Sequence, residues 1–286
     1  MNVVLTIGFF DGVHIGHRKL INSVIEKAKT LPDCKSIVLT FERVLRSGCG
    51  LLTSLEEKIV ILKETDIDQI EVVKFTEKFS STTPEDFFYN IIMKKYNTKT
   101  MIVGYDFVFG KDRKGSTAIL GEMCEKNNME LIVLEPVLYK NTIVSSSYIR
   151  KCLMEGRIEL VNILLGRDYS IEGEVVKGKG LGKGLGFPTA NLKVKGEGKL
   201  LPEGVYGGFV SVDNSSYRAL INIGSCPTLS SCNVIQPEIH ILDFDKEISN
   251  KTLKFCFKRK LRDEKKFINI EELKNQIKKD IIFTNA

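Results

Sequence analysis

The sequence predicts two domains of different class, an open α/β sheet followed by a small antiparallel β domain, either a barrel or a sandwich. In the first half, strand-like runs alternate with helical patterns, whereas from Tyr169 onward short β-rich runs follow one another without helices between them. A chain of 286 residues is long enough for two ordinary domains. We place the boundary near 166–168, which gives domains at 1–167 and 168–286.

The first half has the alternation that is typical of parallel sheets. Its strand-like runs are 3–7, 36–41, 70–75, 100–104 and 130–135, and its helical patterns lie near 17–29, 55–64, 84–96 and 116–127. Helices of this length between strands imply parallel pairing through crossover connections. An open sheet of this kind binds ligands outside the carboxyl ends of its strands, so we expect a site there.

The second half follows two short helical patterns, SSSYIRKCLMEG at 145–156 and RIELVNILLG at 157–166. Glycine-rich or polar turns link its β-rich runs, which read YSIEGEVVKG, GVYGGFVSV, YRALINIG, PEIHILDF and LKFCFKRKL. Successive short strands of this kind indicate antiparallel pairing. A last helical pattern, IEELKNQIKKDI, occupies 270–281.

Composition and charge narrow the classes of protein that fit. No apolar run approaches the about 20 residues that span a bilayer, and no charged-then-apolar leader precedes the first strand. The 7 cysteines are scattered without a C-x-x-C pair, which favours a reduced, cytoplasmic compartment over a disulfide framework. The net charge of +6 comes in part from the lysine-rich stretch 177–199, which can attract phosphate or remain a solvated loop.

The stretch GFFDGVHIGH, residues 8–17, separates the first strand from the first helical pattern. A strand, a glycine-bearing turn and a helix start bring backbone N–H groups and the positive end of a helix dipole to one place, which suits an anion. His14 and His17 can both reach this place and donate hydrogen bonds to phosphate oxygens. On spacing alone, a helix cap or a metal site remains an alternative.

Several segments of the first domain resemble the bacterial FAD synthetases. GFFDGVHIGH is similar to their H-x-G-H signature of the nucleotidyltransferase superfamily, and LTSLEEKI at 52–59 is similar to a segment after their second strand. VGYDFVFGKDRKG at 103–115 resembles their G-x-(D/N)-F-x-F-G loop, and VSSSYIR at 144–150 resembles S-S-T-x-I-R. The resemblance implies a Rossmann-like α/β nucleotidyltransferase domain.

This resemblance also implies roles for single residues. His14 and His17 would hold the ATP phosphates while an FMN phosphate oxygen attacks the α-phosphorus and pyrophosphate leaves, a reaction that needs positioning and charge neutralisation. The nucleotide-binding residues that it implies are Gly8, Phe10, Asp11, Gly16, Ser145, Ser146 and Arg150. Those that would line the flavin or nucleotide pocket are Gly104, Asp106 and Phe109.

The chain departs from the family pattern in two places. Relatives follow the second strand with T-F-E or T-F-D and then P-H-P, whereas LTFERVLRSGCG has neither proline nor histidine there. The threonine of S-S-T is Ser147, which keeps the hydroxyl. Because Arg43 and its neighbours replace a segment that helps to shape the pocket in relatives, an inactive or retasked N-terminal domain stays an alternative.

The stretch GEVVKGKGLGKGLGFPTANL, residues 173–192, is the most specific of the second domain. Glycines let such a loop fold closely around phosphates, although glycine spacing alone also fits a surface hairpin. Its end resembles the GFPTAN signature of riboflavin kinases, a family with a small antiparallel β-barrel. The resemblance implies Thr189 and Asn191 as ligands of the magnesium that accompanies ATP, since this ion prefers hard oxygen donors. It implies nucleotide contacts for Gly180, Gly182, Lys183 and Gly186.

PEIHILDF at 237–244 resembles the E-x-H-x-x-D-F of the same family. Because side chains alternate along a strand, Glu238 and His240 share one face and the two isoleucines take the other. A riboflavin kinase needs a base for the proton of the 5′-hydroxyl, and the resemblance implies Glu238. We expect His240 to hold Glu238 or a neighbouring loop.

Together the resemblances imply a cytoplasmic enzyme that uses ATP and Mg²⁺ to convert riboflavin to FMN and then FMN to FAD, with these flavins as substrate and product rather than prosthetic groups. Two further alternatives stay open: a nucleotidyltransferase with another phosphorylated acceptor, and a flavin-responsive regulator that binds nucleic acid. KRKLRDEKKF at 258–267 contains acids and no interleaved aromatics, which argues against a nucleic-acid partner. No membrane partner is expected, and no oligomeric state is predicted.

Overall fold

The computed structural model describes residues 2–42, 50–177, 184, 186–213, 215–226 and 234–285. The chain forms two compact units, Met1–Ser146 and Ser147–Ala286. Among the described residues, no helix has both the length and the apolar character needed to cross a membrane.

The first unit is built on a parallel sheet. Its strands are β1 (Asn2–Ile7), β2 (Cys34–Phe41), β3 (Gln69–Val73), β4 (Thr98–Gly104) and β5 (Glu130–Leu134). Its helices are α1 (Ile15–Lys29), α2 (Leu55–Lys63), α3 (Glu77–Ser80), α4 (Pro84–Asp86) and α5 (Thr117–Lys126). A π-helical stretch, Phe87–Lys95, continues α4, and a 3₁₀ turn lies at Lys111–Arg113. A small hairpin of β6 (Leu138–Tyr139) and β7 (Thr142–Ile143) ends the unit.

The strand order is β3-β2-β1-β4-β5, and all neighbours are parallel, as the alternation of strands and helices predicted. Alternate residues of β1 belong to two separate core clusters, because helices cover both faces of the sheet: Val4 packs with α1, whereas Leu5 packs with the aromatic side chains of 87–96. The strand order reverses between β1 and β4. In open α/β sheets this point marks the ligand-binding crevice.

The second unit is a closed antiparallel barrel with helices, which decides between the predicted barrel and sandwich. Helix α6 (Ser146–Met154) begins at the division of the units, and α7 (Ile158–Leu165) follows it. The barrel strands are β8 (Ser170–Val176), β9 (Ala190–Val194), β10 (Gly204–Val212), β11 (Ser215–Cys226), β12 (Val234–Ile241) and β13 (Thr252–Arg262), and α8 (Ile270–Asn285) ends the chain. Their order around the barrel is β10-β11-β12-β9-β8-β13.

The Asn162 side chain fixes helix α7 to the barrel by hydrogen bonds. The Asn162 amide donates to the Phe257 carbonyl at 2.8 Å and to the Asp168 carboxylate at 3.2 Å, and it accepts the Tyr169 N–H at 2.8 Å. These contacts explain why α7 lies in the barrel unit, although the sequence boundary of 166–168 assigns it to the first domain. That boundary stays a prediction about where one function ends and the next begins.

The second helix-to-barrel connection uses an ion pair. Arg262, at the end of β13, meets Asp280 of α8 with a nitrogen-to-oxygen distance of 2.9 Å, and the Asp280 side chain is only 4% exposed. The Gln276 amide also donates to this carboxylate, at 2.8 Å. The final helix is therefore fixed to the barrel wall by polar groups that water hardly reaches.

Candidate functional site

The predicted phosphate turn lies at the carboxyl end of β1, where the strand order reverses. Its backbone is left-handed at Phe10 (φ 52°), Gly12 (φ 82°) and Val13 (φ 38°). Two of these residues are not glycine, and such conformations persist only where surrounding contacts hold them. A Cβ at Gly8 would lie 2.8 Å from the Phe10 ring, so glycine is needed for the buried ring to fold back over the turn.

His14 and His17 come together at the start of α1. His14 is the N-cap residue, and its Nδ1 accepts the His17 N–H at 3.3 Å, which leaves Nε2 as the proton-bearing nitrogen of a neutral ring. The two rings stack with centroids 3.5 Å apart. Gly16, between them, lies in the first turn of the helix. The alternative of a helix cap is realised by His14, and the phosphate role of both histidines stays a prediction.

Asp11 anchors the turn to the segment that precedes α2. Its carboxylate accepts the N–H groups of Leu52 and Thr53, both at 3.0 Å, and it is 2% exposed. The Gly12 N–H donates to the Thr53 hydroxyl at 3.0 Å, and the Ser146 hydroxyl donates to the Asp11 carbonyl at 2.9 Å. Asp11 and Ser146 therefore shape the turn from inside the protein, and their predicted contact with nucleotide stays a prediction.

The predicted pocket residues after β4 lie at the neighbouring strand end. Gly104 ends β4, and the Asp106 side chain is exposed just beyond it. Phe109 is buried; its ring stacks on Phe107 with centroids 5.6 Å apart, and its backbone pairs with Gly115 at 3.0 and 2.9 Å. The structure thus gives Phe109 a packing role, and its contact with a flavin stays a prediction.

The segment 144–146 lies beside the phosphate turn and the start of α1 in the first unit. Ser145 and Ser146 are half-buried, and the Val144 carbonyl lies 3.7 Å from the position of a Cβ on Gly16. Arg150 lies on α6, in the second unit, so its place at the ATP phosphates stays a prediction. Arg43 and the segment that replaces P-H-P lie outside the described residues.

The barrel carries a row of polar residues across three neighbouring strands. Glu238 of β12 pairs directly with Asn222 of β11 and with Asn191 of β9. Directly opposite residues project to the same face with Cβ atoms about 5 Å apart. Ile239 and Ile241 are buried while Glu238 is exposed, so the row Asn222–Glu238–Asn191 lies on the outer face, as the alternation predicted.

His240 connects this strand to the GFPTAN segment. Its Nδ1 donates to the Pro188 carbonyl at 2.8 Å, and its ring meets the Phe187 ring edge-on with centroids 5.7 Å apart. This contact confirms that His240 holds a neighbouring loop. Beside it opens a cleft of about 350 Å³, lined by Phe187, Pro188, His240, Leu242 and Phe244. Gly186, at its edge, has a left-handed φ of 86°.

The residues predicted to hold magnesium have suitable chemistry and placement. Thr189 is exposed immediately before β9, and Asn191 is its second residue and 9% exposed. Asn191 lies directly opposite Glu238, and Thr189 precedes it by two residues, the spacing that faces the same side in an extended chain. This donor set fits a hard cation such as Mg²⁺. Gly180, Gly182 and Lys183 lie outside the described residues.

Comparison with known families gives a separate match for each half of the chain. The family model for FAD synthetase matches residues 1–148, and the model for riboflavin kinase matches residues 165–286. The chain belongs to the bifunctional riboflavin kinase/FMN adenylyltransferase family. Proteins of that name in Buchnera aphidicola (Schizaphis graminum), Bacillus subtilis 168 and Escherichia coli K12 are 37%, 34% and 31% identical to it. The alignments cover 98%, 97% and 97% of this chain and 92%, 90% and 90% of those proteins.

A solved structure supports the fold of this family member over its whole length. The crystal structure of a protein described as a macrolide-efflux protein from Streptococcus pneumoniae matches with a TM-score of 0.89 and 28% sequence identity. The match covers 100% of this chain and 94% of that one. This similarity supports the fold of the present chain. The efflux description applies to the streptococcal protein only.

In this family member the structure brings two further residues, Asn222 and Lys58, beside predicted site residues. Asn222 lies in "NIGS", which as a sequence indicates only a barrel strand, and its pairing with Glu238 requires the register. Lys58 is buried on α2 beneath the phosphate turn. A signal for Lys58 was present in the sequence: together with Ile61 and Leu62 it forms an i, i+3, i+4 stripe, the pattern of a buried helix face.

Proposed function

We propose that the barrel unit phosphorylates riboflavin to FMN and that the first unit adenylylates FMN to FAD, using ATP in both steps. Membership of the bifunctional family supports both activities. The observation that supports the site assignment is the register pairing of Glu238 with Asn191, because it brings the proposed base next to a proposed metal ligand. The segment that replaces P-H-P belongs to the first domain, so its change does not affect this pairing in the barrel.

In the kinase step, Glu238 accepts the proton of the riboflavin 5′-hydroxyl while that oxygen attacks the γ-phosphorus of ATP and ADP leaves. The exposed position of Glu238 on the outer face gives the hydroxyl access to its carboxylate. Thr189 and Asn191 would hold a magnesium ion, whose chemistry is to neutralise phosphate charge. His240 keeps the segment that carries both ligands against β12.

In the adenylyltransferase step, the turn at residues 8–14 and the start of α1 receive the ATP phosphates. The N–H groups and the positive dipole end of a helix start favour negative charge, and His14 and His17 donate to oxygens whose charge grows as pyrophosphate leaves. Gly104 ends the neighbouring strand β4 and Asp106 follows it, which supports their assignment to the acceptor FMN. Arg150 would bind phosphate through its planar guanidinium.

The test is to incubate the purified chain with riboflavin, ATP and Mg²⁺ and to separate the flavins by chromatography. We expect FMN to appear first and FAD to accumulate from it. FMN alone would mean that the first unit is inactive or acts on another acceptor. If neither FMN nor FAD forms and the chain binds RNA or DNA with a strong salt dependence, both proposed activities are wrong and a regulatory function is favoured.

Single substitutions separate the two steps. Glu238→Gln should abolish FMN formation and leave conversion of supplied FMN to FAD unchanged, whereas Glu174→Gln, an exposed barrel glutamate on β8, is the matched control and should affect neither. His17→Ala and Arg150→Ala should do the reverse of Glu238→Gln. An unchanged kinase rate in Glu238→Gln would exclude Glu238 as the base.

A further inference from the structure

Lys58 has an environment that is unusual for a lysine. Its side chain arises from the first turns of α2, yet the residue is 3% exposed. Its Nζ donates to the Phe9 carbonyl at 3.0 Å and to the Phe41 carbonyl at 2.8 Å, and it lies 4.5 Å from the centre of the Phe9 ring. A fully enclosed lysine is rare in proteins unless it is paired or has a specific role.

The two carbonyls lie at the carboxyl ends of neighbouring strands. Strands β1 and β2 pair in register up to Ile7 and Leu39, and Phe9 and Phe41 each follow two residues later. Phe41 ends β2, whereas Phe9 already belongs to the phosphate turn. Lys58 therefore joins the carboxyl ends of two central strands at the edge where an open α/β sheet binds its ligand.

The same segment of chain holds the turn at a second point. Leu52 and Thr53 bind the Asp11 carboxylate, and six residues further on Lys58 binds the carbonyl that precedes the turn's Phe10. The segment 52–58 thus holds the turn at Phe9 and at Asp11. Apolar packing would hold the turn without placing a charge there, so the ammonium group itself requires an explanation.

Burial of this ammonium group works against its charge. Burial lowers the pKa of Lys58 to about 8, and among the described residues the charged group that opposes this effect is Asp11. At neutral pH the lysine keeps its proton and places a positive charge beneath the turn. In a low-dielectric environment such a charge acts more strongly on nearby anions than a surface lysine does.

We propose that Lys58 is a positioning residue for adenylyl transfer: it ties the Phe9 carbonyl to the Phe41 carbonyl and thereby sets the turn that carries His14 and His17 for the phosphates of ATP. The inference rests on the proposed adenylyltransferase activity and deepens it. Lys58 acts through the turn and does not itself contact the reacting atoms. Misplacement of a catalytic group by about 1 Å reduces rates by about 100-fold, so a modest shift of the turn has a large effect.

The test compares Lys58→Met, which removes donors and charge, with Lys63→Met, an exposed lysine on the same helix. With supplied FMN, we expect Lys58→Met to raise the KM for ATP about tenfold and to lower kcat about tenfold, with the KM for FMN unchanged. Riboflavin phosphorylation and all constants of Lys63→Met should stay at wild-type values. A fall in the folded fraction alone would lower the apparent kcat without raising the KM for ATP.

Each outcome bears on one of the two proposals. If the wild-type chain forms no FAD, the proposed adenylyltransferase function fails. If the wild type forms FAD and Lys58→Met keeps its KM for ATP, the role of Lys58 is wrong. If Lys58→Met does not fold, Lys58→Leu carries the same test, because leucine also lacks a donor and matches the buried face that Ile61 and Leu62 form: an unchanged KM for ATP in that variant overturns the inference.

Discussion

The buried charge of Lys58 makes a quantitative prediction about stability and pH. Its pKa falls from 10.5 to about 8 in the folded chain because burial disfavours the ammonium form. This lowering of the pKa corresponds to about 3 kcal/mol of unfolding free energy. The unfolded chain binds more protons than the folded one between pH 8 and 10.5, so stability rises with pH in that window, and the full penalty applies below pH 8.

The measurement is urea unfolding followed by circular dichroism at several pH values, for the wild type, Lys58→Met and Lys63→Met. The unfolding free energy of the wild type should gain about 2 kcal/mol relative to Lys58→Met between pH 7 and about 9.5, since methionine has no proton to lose. Lys63→Met should follow the wild type at every pH. If the difference in unfolding free energy between wild type and Lys58→Met does not change with pH, the conclusion that burial lowers the pKa of Lys58 is wrong.

Further predictions concern both units. Asn222→Ala should reduce FMN formation about tenfold without affecting FAD formation from supplied FMN, because it removes the polar side chain directly opposite the proposed base Glu238; equal rates would exclude a role for Asn222 in the kinase step. Asp11→Ala should lower the unfolding free energy of the first unit by about 2 kcal/mol, since it leaves two buried N–H groups without an acceptor, as urea unfolding will measure. Asp280→Ala should destabilise the barrel unit by about 3 kcal/mol in the same assay by leaving the Arg262 guanidinium unpaired, and Asp280→Asn should cost less. Chelation of divalent cations should stop both activities, and added Mg²⁺ should restore them.

The elements that the sequence predicted are those whose signals are local. The run 3–7 became β1 because its apolar residues are buried on both faces of a parallel sheet, and Glu238 and Ile239 took opposite faces because strand periodicity is strict. The start of α1 at Ile15 was two residues earlier than its pattern, because His14 caps it. Strand β9 was missed, since "GFPTANL" reads as a loop and becomes a strand only by pairing with β8 and β12.

What the sequence did not predict depends on contacts between distant segments. Asp11 reads as an exposed acid beside glycines, and only the arrival of Leu52 and Thr53 buries its carboxylate. The helix near 84–96 was predicted, but its π-helical stretch at Phe87–Lys95 was not, because helix type leaves no signature in apolar periodicity. Asn222 lies opposite Glu238 because of the register between β11 and β12. The spacing of residues within one strand does not predict this register.

The closure of the barrel has a consequence for how the protein is made on the ribosome. Strand β8 at Ser170–Val176 pairs with β13 at Thr252–Arg262, so the first and last strands of the barrel must both be present before the wall can seal. The parallel sheet of the first unit, by contrast, has all its strands once Leu134 has emerged. Domains that are synthesised first generally fold first. A nascent chain should therefore acquire its nucleotidyltransferase sheet early and carry an open, unsealed kinase barrel until β13 has emerged.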